Sequence, residues 1–180
     1  KKGFSNTDNL NKTLRFMVHN KVLPIVTNHY AKFDADFHQQ FAEGKVTYDM
    51  LRTIKEKVPD CGFGDSLLTT VTNASKGRNE YYSTYHRSDV DVVDKTTISA
   101  SFPWIYHYTN VDGDEYCDGG LTNNLPLKYF KDDQSTVLKH EYGADLNVVA
   151  FVLNNGTEID TLYKDGKEVY RESMWTNSLL

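Results

Sequence analysis

An aspartate followed by two glycines, Asp118-Gly119-Gly120, comes directly after Tyr116-Cys117 and leads into the run Leu121 to Leu127. This order predicts a carboxylate presented at a strand end, on a turn whose glycines let the backbone pass close to another element. Asn124 and Pro126 then supply cap and start residues for a helix over 126–130. A strand-end carboxylate on a tight turn is where α/β sheets place catalytic groups, and the same three residues also suit a plain capping aspartate in a glycine-rich turn. A second stretch, Gly64-Asp65-Ser66-Leu67, offers a serine for nucleophilic chemistry or else a loop entering a strand. A third, Asn110-Val111-Asp112-Gly113-Asp114, strings oxygen donors together. An EF-hand requires Gly at its sixth position and Glu at its twelfth; counted from Asn110 these are Glu115 and Leu121, so the stretch reads as a polar turn between two strands. The six histidines are dispersed, with no His-x-His or His-Glu-x-x-His, and neither a metal nor a cofactor is expected. Cys61 and Cys117 have no CxxC spacing and read as two reduced thiols.

The elements that must hold these groups change character along the chain. Leu10, Leu14, Met17 and Val18 recur at helical steps, and Pro24 is expected to break or kink that segment. A short helix is expected from Asp36 to Ala42, closed by Gly44. A third starts from a Thr47 cap, carries Met50, Leu51, Ile54 and Val58 on one stripe, and stops at Pro59. Leu67 to Thr72 reads as a buried strand and Tyr81 to His86 as an aromatic-rich one, with a turn over Ala74 to Asn79 between them. Val90, Val92, Val93 and Ile98 suggest a helix ended by Pro103. Leu146 to Leu153 reads as the strongest strand, apolar enough for burial on both faces as in a parallel sheet covered by helices. Alternating helices and buried strands point to a layered α/β architecture.

The 180 residues are 39% hydrophobic and 25% charged, enough for a packed core and against wholesale disorder. No apolar run approaches the roughly 20 residues of a bilayer span, so membrane contact is expected to be peripheral. The net charge of −5 divides unevenly: residues 1 to 57 hold 10 Lys+Arg against 6 Asp+Glu, and the remainder 10 against 19. The basic front suits a solvated face or anionic lipid, and no basic stripe with interleaved aromatics argues for nucleic acid. The chain opens on Lys1-Lys2-Gly3 and stops at Ser178-Leu179-Leu180, and is expected to be a segment of a longer protein. It divides into a helical region, 1–60, and a strand/helix core, 61–180, of one incomplete domain.

Ser99, Ala100, Ser101, Pro103 and Trp104, then Asp118, Gly119, Gly120, Asn123, Asn124 and Pro126, follow in an order that resembles the C-terminal half of a patatin-like phospholipase. The likeness runs from about Leu67 to Val152, and the strand ending at Thr72-Asn73 is similar to the one that precedes this helix in the family. It implies a three-layer α/β fold with a mostly parallel central sheet, of which this chain is a part. It also implies a carboxylic ester hydrolase of phospholipase A or lysophospholipase type, working with a Ser/Asp dyad. Asp118 would be the base and Gly119 and Gly120 the backbone residues of the motif. The family's Gly-x-Ser-x-Gly elbow and glycine-rich oxyanion loop occur nowhere in these residues, so both are expected before Lys1 and the chain alone is expected to be inactive.

The helix-rich front is most similar to divergent bacterial members injected into host cells. That implies a cytosolic-type protein peripheral to membranes, a phospholipid or lysophospholipid substrate and a host protein activator. Phe102, Trp104, Ile105, Tyr106 and Tyr108 suit an acyl-chain groove, a lipid interface or simply core. Two other readings stand beside this one. The patatin scaffold can serve as a non-catalytic binding module. Gly64-Asp65-Ser66-Leu67 also resembles the nucleophile block of GDSL esterases, although that family needs a strand before the block and an Asp-x-x-His downstream, and this sequence has neither.

Overall fold

The computed structural model describes residues 4–64, 66–126 and 129, together with the backbone of 163–164 and 167–168. Two compact units divide at Asn123 and Asn124. The first contains α1 (Asp8–Asn28), a 3₁₀ turn (Tyr30–Lys32), α2 (Ala35–Ala42), α3 (Tyr48–Lys57), β1 (Leu68–Asn73), β2 (Arg78–Ser83), α4 (Val92–Ser99), β3 (Thr109–Val111), β4 (Asp114–Asp118) and α5 (Gly120–Asn123). Of the second, the described part is a bond from the Tyr129 N–H to the Pro126 carbonyl and a short antiparallel pair, β5 (Tyr163–Lys164) with β6 (Lys167–Glu168). Most of the helix expected over 126–130, and all of the strand expected over 146–153, lie outside the described residues.

α2 and α3 fold where periodicity and caps direct. The Thr47 side chain accepts from the Met50 N–H at the start of α3, and Asp34 does the same for Phe37 at the start of α2. Gly44, at φ +79°, makes the left-handed turn after α2. Pro24 does not end its helix: α1 continues to Asn28. The proline is on the exposed side, where water can serve the carbonyl left without an N–H partner. The buried stripe of α1 is Val22 and Val26 flanked by Val18 and Ile25, whereas Met17, expected inside, is 60% exposed. These valines pack with Phe33, Phe37, Phe41, Val46, Met50, Ile54 and Val58 into one core.

β1, β2, β3 and β4 form an antiparallel sheet in the order β2-β1-β4-β3. A sheet that is antiparallel throughout differs from the mostly parallel one expected from the 146–153 strand and from the patatin-like resemblance, and no parallel pair of strands occurs among the described residues. Short turns explain two of the three pairings, β1–β2 and β3–β4. Ala74 to Gly77 is tight enough, with Gly77 at φ +60°, that pairing resumes at Arg78. The second strand therefore starts inside the segment expected as turn and ends at Ser83, before His86. Asp112 and Gly113 both take positive φ and close the β3–β4 hairpin in two residues, which matches the polar turn read from the sequence.

One face of this sheet packs on the helices. Val71, Tyr82 and Tyr116 join Tyr48 of α3 and Val92 and Ile98 of α4 in a second core, and Leu51 packs against both cores. Charged groups are buried here in matched sets. Glu80 accepts from Arg78, Arg87, Asn73 and the Tyr82 and Tyr116 hydroxyls, and the Lys95 ammonium of α4 lies 4.5 Å from the Tyr82 ring centre. Asp91 caps α4, accepts from the Val46 N–H and takes both arms of the Arg15 guanidinium. Arg15 also reaches Asp94 and the Gly44 carbonyl, so one side chain ties α1 to the start of α4 and to the turn after α2. No helix among the described residues is long and apolar enough to cross a membrane.

Candidate active site

Asp118 is the last residue of β4, beside β1 in the middle of the sheet, opposite Val71 in register. Its backbone is held on both sides. The N–H donates to the Ser101 carbonyl at 3.1 Å, and the carbonyl accepts from the Thr72 hydroxyl at 2.7 Å. Ser101 is fully buried directly after α4, so the Ser/Ala-rich helix end and the aspartate strand are joined by one hydrogen bond. The Asp118 carboxylate accepts through Oδ1 from the Gly120 N–H at 2.7 Å, and among the described residues Oδ2 accepts no hydrogen bond.

Burial pushes the Asp118 carboxyl above its ordinary range, and the Gly120 amide pulls it back in part. The carboxylate is half-buried at a strand end, fixed through one oxygen and made more basic than a solvated aspartate. It can accept a proton from a hydroxyl brought to its second oxygen.

The two glycines do different jobs. A Cβ on Gly119 would lie 2.1 Å from the Thr70 carbonyl oxygen and 2.4 Å from Thr70 Oγ1, so only glycine lets the turn pass this close to β1. Gly120 begins α5 and contributes its N–H to the carboxylate. α5 is then fastened to the second sheet face: Thr122 Oγ1 lies 2.8 Å from Thr72 Oγ1, the Asn79 amide donates to Thr122 Oγ1, and the Asn123 amide donates to the Tyr81 hydroxyl at 2.7 Å.

The motif order names Asp118, Gly119, Gly120, Ser101 and Asn123, and these lie together. Thr70, Thr122, Asn79 and Tyr81 do not stand out in the sequence, because a threonine alternating along a strand looks the same whether it supports a turn or faces water. Their signal is register alone, readable once β1 and β2 are paired.

Ser66 is not brought to this aspartate. It accepts a hydrogen bond from the Thr84 hydroxyl at 3.1 Å and precedes β1 by two residues, about 16 Å along the chain from the register position opposite Asp118. The described residues between α3 and β1 contain no strand to present it, and Asp65 lies outside the described residues. Of the aromatic segment, Trp104 and Ile105 are each 53% exposed and Phe102 meets Trp104 edge-on.

A family model described as patatin-like phospholipase matches residues 1–131. A curated relative, "Uncharacterized protein R571" of Acanthamoeba polyphaga mimivirus, is 29% identical over 94 residues, covering 49% of this chain and 32% of its own length. The match thus spans about a third of that relative. The family match includes the front helices, on which the sequence resemblance is only permissive, and continues through Asp118-Gly119-Gly120. With well over half of its length matched, the chain belongs to the patatin-like phospholipase family.

Proposed function

We propose that this chain supplies the general base of a Ser/Asp lipid acyl hydrolase of phospholipase A or lysophospholipase type. Asp118 is the base, and the nucleophilic serine with its oxyanion loop is contributed by sequence preceding Lys1. Family membership supports lipid ester hydrolysis in general. The observation that carries the dyad is the state of Asp118: a half-buried carboxylate of raised basicity, held by Gly120 through one oxygen only.

The reaction needs only the ester and water. The serine oxygen attacks the acyl carbonyl carbon as its proton passes to Asp118, and the tetrahedral oxyanion collapses by breaking the bond to the alcohol, which leaves with that proton. Water then repeats the sequence on the acyl-enzyme and releases the fatty acid. Gly119 and the threonines behind it keep the carboxylate where the serine must meet it, a positioning role.

The substrate is a phospholipid or lysophospholipid met at a membrane surface. This reading needs neither the bacterial-effector subgroup nor the host activator that the resemblance implied. Fluorophosphonate labelling with peptide mapping tests it. The protein carrying this chain should label on a serine before Lys1, and the isolated 180 residues should take no label; label on Ser66 overturns the assignment.

A further inference from the structure

We propose that Asn79 of β2, outside the aspartate motif, is a positioning residue for the Asp118 base, acting through Thr122 and Thr72; the inference rests on the dyad reading above. Register places its side chain. Asn79 pairs with Thr72 across β2 and β1, Tyr81 pairs with Thr70, and the period of two puts all four on the sheet face opposite the buried Val71. α5 is bonded to this face: Thr122 to Asn79 and Thr72, and Asn123 to Tyr81. The hydrogen bonds run in one direction. The Val71 carbonyl can only accept, so the Asn79 atom 3.2 Å from it is the amide nitrogen, whose other hydrogen goes to Thr122 Oγ1 at 3.1 Å. At the far end the Asp118 carbonyl can only accept as well, which commits the single Thr72 hydroxyl proton to it at 2.7 Å. The 2.8 Å contact between Thr72 and Thr122 must then carry the Thr122 proton. The order is therefore Asn79 to Thr122 to Thr72 to Asp118, and the two ends fix the sense of both hydroxyls between them.

This chain of bonds meets the base on two sides. It ends on the Asp118 backbone carbonyl, and it holds Thr122, two residues after the Gly120 whose N–H fixes carboxylate Oδ1 at 2.7 Å. The other group that the Asn79 amide grips, the Val71 carbonyl, belongs to the residue opposite Asp118 in register. One amide on β2 thus aligns the strand end and the turn that orients the carboxylate. Breaking the chain leaves Asp118 present as a base but frees α5, and with it the Gly120 N–H, to shift against Oδ1. A proton acceptor held off line loses rate rather than substrate affinity.

Kinetics of the full-length protein on a monomeric short-chain ester, with Asn79→Ala, Thr122→Val and both together, test the chain. Each single variant should lower kcat about tenfold with KM within about twofold, at unchanged unfolding temperature. Thr122→Ser keeps the hydroxyl and should hold kcat within about twofold of wild type. The double variant should be no slower than the slower single one, because either change breaks the same chain. Wild-type kcat in both single variants, a loss in Thr122→Ser equal to that in Thr122→Val, or losses that multiply in the double variant overturn the proposal. Thr122 is exposed among the described residues, so its variants keep the test readable if Asn79→Ala lowers the unfolding temperature. Hydrogen exchange at the Gly120 amide needs no turnover: it should quicken about tenfold or more in Asn79→Ala and in Thr122→Val, and unchanged exchange overturns the proposal. Hydrolysis by Asp118→Asn at the wild-type rate defeats the dyad reading separately, and the exchange result still decides whether Asn79 holds the turn.

Discussion

At the scale of the residue, Asp118 and its two glycines separate into three tests. Removing only the basicity, with Asp118→Asn, keeps an oxygen for the Gly120 amide and should lower lipid hydrolysis about 100-fold or more without unfolding the protein. Because burial raises its pKa, the acid limb of the kcat/KM profile should fall above the ordinary aspartate value of about 3.9. Gly119→Ala fails for another reason. Its methyl would meet the Thr70 backbone carbonyl of a paired strand, which cannot swing aside as a flexible side chain does. It should cost about 3 kcal/mol and lower the unfolding temperature by roughly 10 °C, read by calorimetry. The two thiols provide a control, Cys117 on the same strand as Asp118 and Cys61 in the loop after α3. Burial pushes the Cys117 thiol up to about 11 and encloses it, while Cys61 is half-buried. Maleimide at pH 8 should therefore label Cys61 and spare Cys117 until the protein is unfolded.

At the scale of the element, Asp91 joins three segments, two of the helical front and α4. It caps α4, receives the Val46 N–H and pairs with Arg15. Asp91→Ala leaves a buried N–H and a helix start without an acceptor and should cost about 3 kcal/mol. Asp91→Asn keeps the cap and should cost about half as much, which denaturant titration resolves. How far these elements can be read from the sequence depends on which force decides them. Thr47, Gly44 and the Met50–Ile54 stripe mark their helix in advance, because caps and periodicity are local. Asp118 at a strand end was legible too, since two glycines after a carboxylate leave the backbone few conformations. The exposure of Met17, the early start of β2 and the antiparallel pairing were not. Each is set by what packs or pairs across the chain, and a tight turn at Ala74–Gly77 is as compatible with the local sequence as a longer one. The Glu80 and Arg15 clusters are hidden for the same reason, joining residues up to 79 apart.

At the scale of the whole molecule, Glu80 makes folding sensitive to acid. Burial works to raise its pKa, but hydrogen bonds from Arg78, Arg87 and Asn73 outweigh that and lower it to about 2. The unfolded chain, with an ordinary value near 4.3, then takes up the proton first as pH falls. The stabilisation is complete above that ordinary value and is lost as pH drops from about 4.5 towards 2. Glu80→Gln should flatten stability over this window and lower it at neutral pH by about 1–3 kcal/mol, because the two arginines lose their counter-charge. Glu80 joins β2, its own strand, to Asn73 of β1 and Tyr116 of β4, and β1 is the strand on which Asp118 and Gly119 rest, so the acid-labile core and the candidate site share a scaffold. The most direct test of the central claim is fatty-acid release from phospholipid by the full-length protein, wild type beside Asp118→Asn, with unfolding temperature measured on both. A loss of about 100-fold or more at unchanged stability is the result expected of a Ser/Asp hydrolase whose base is Asp118; release by the variant at the wild-type rate, or none by the wild type, contradicts it.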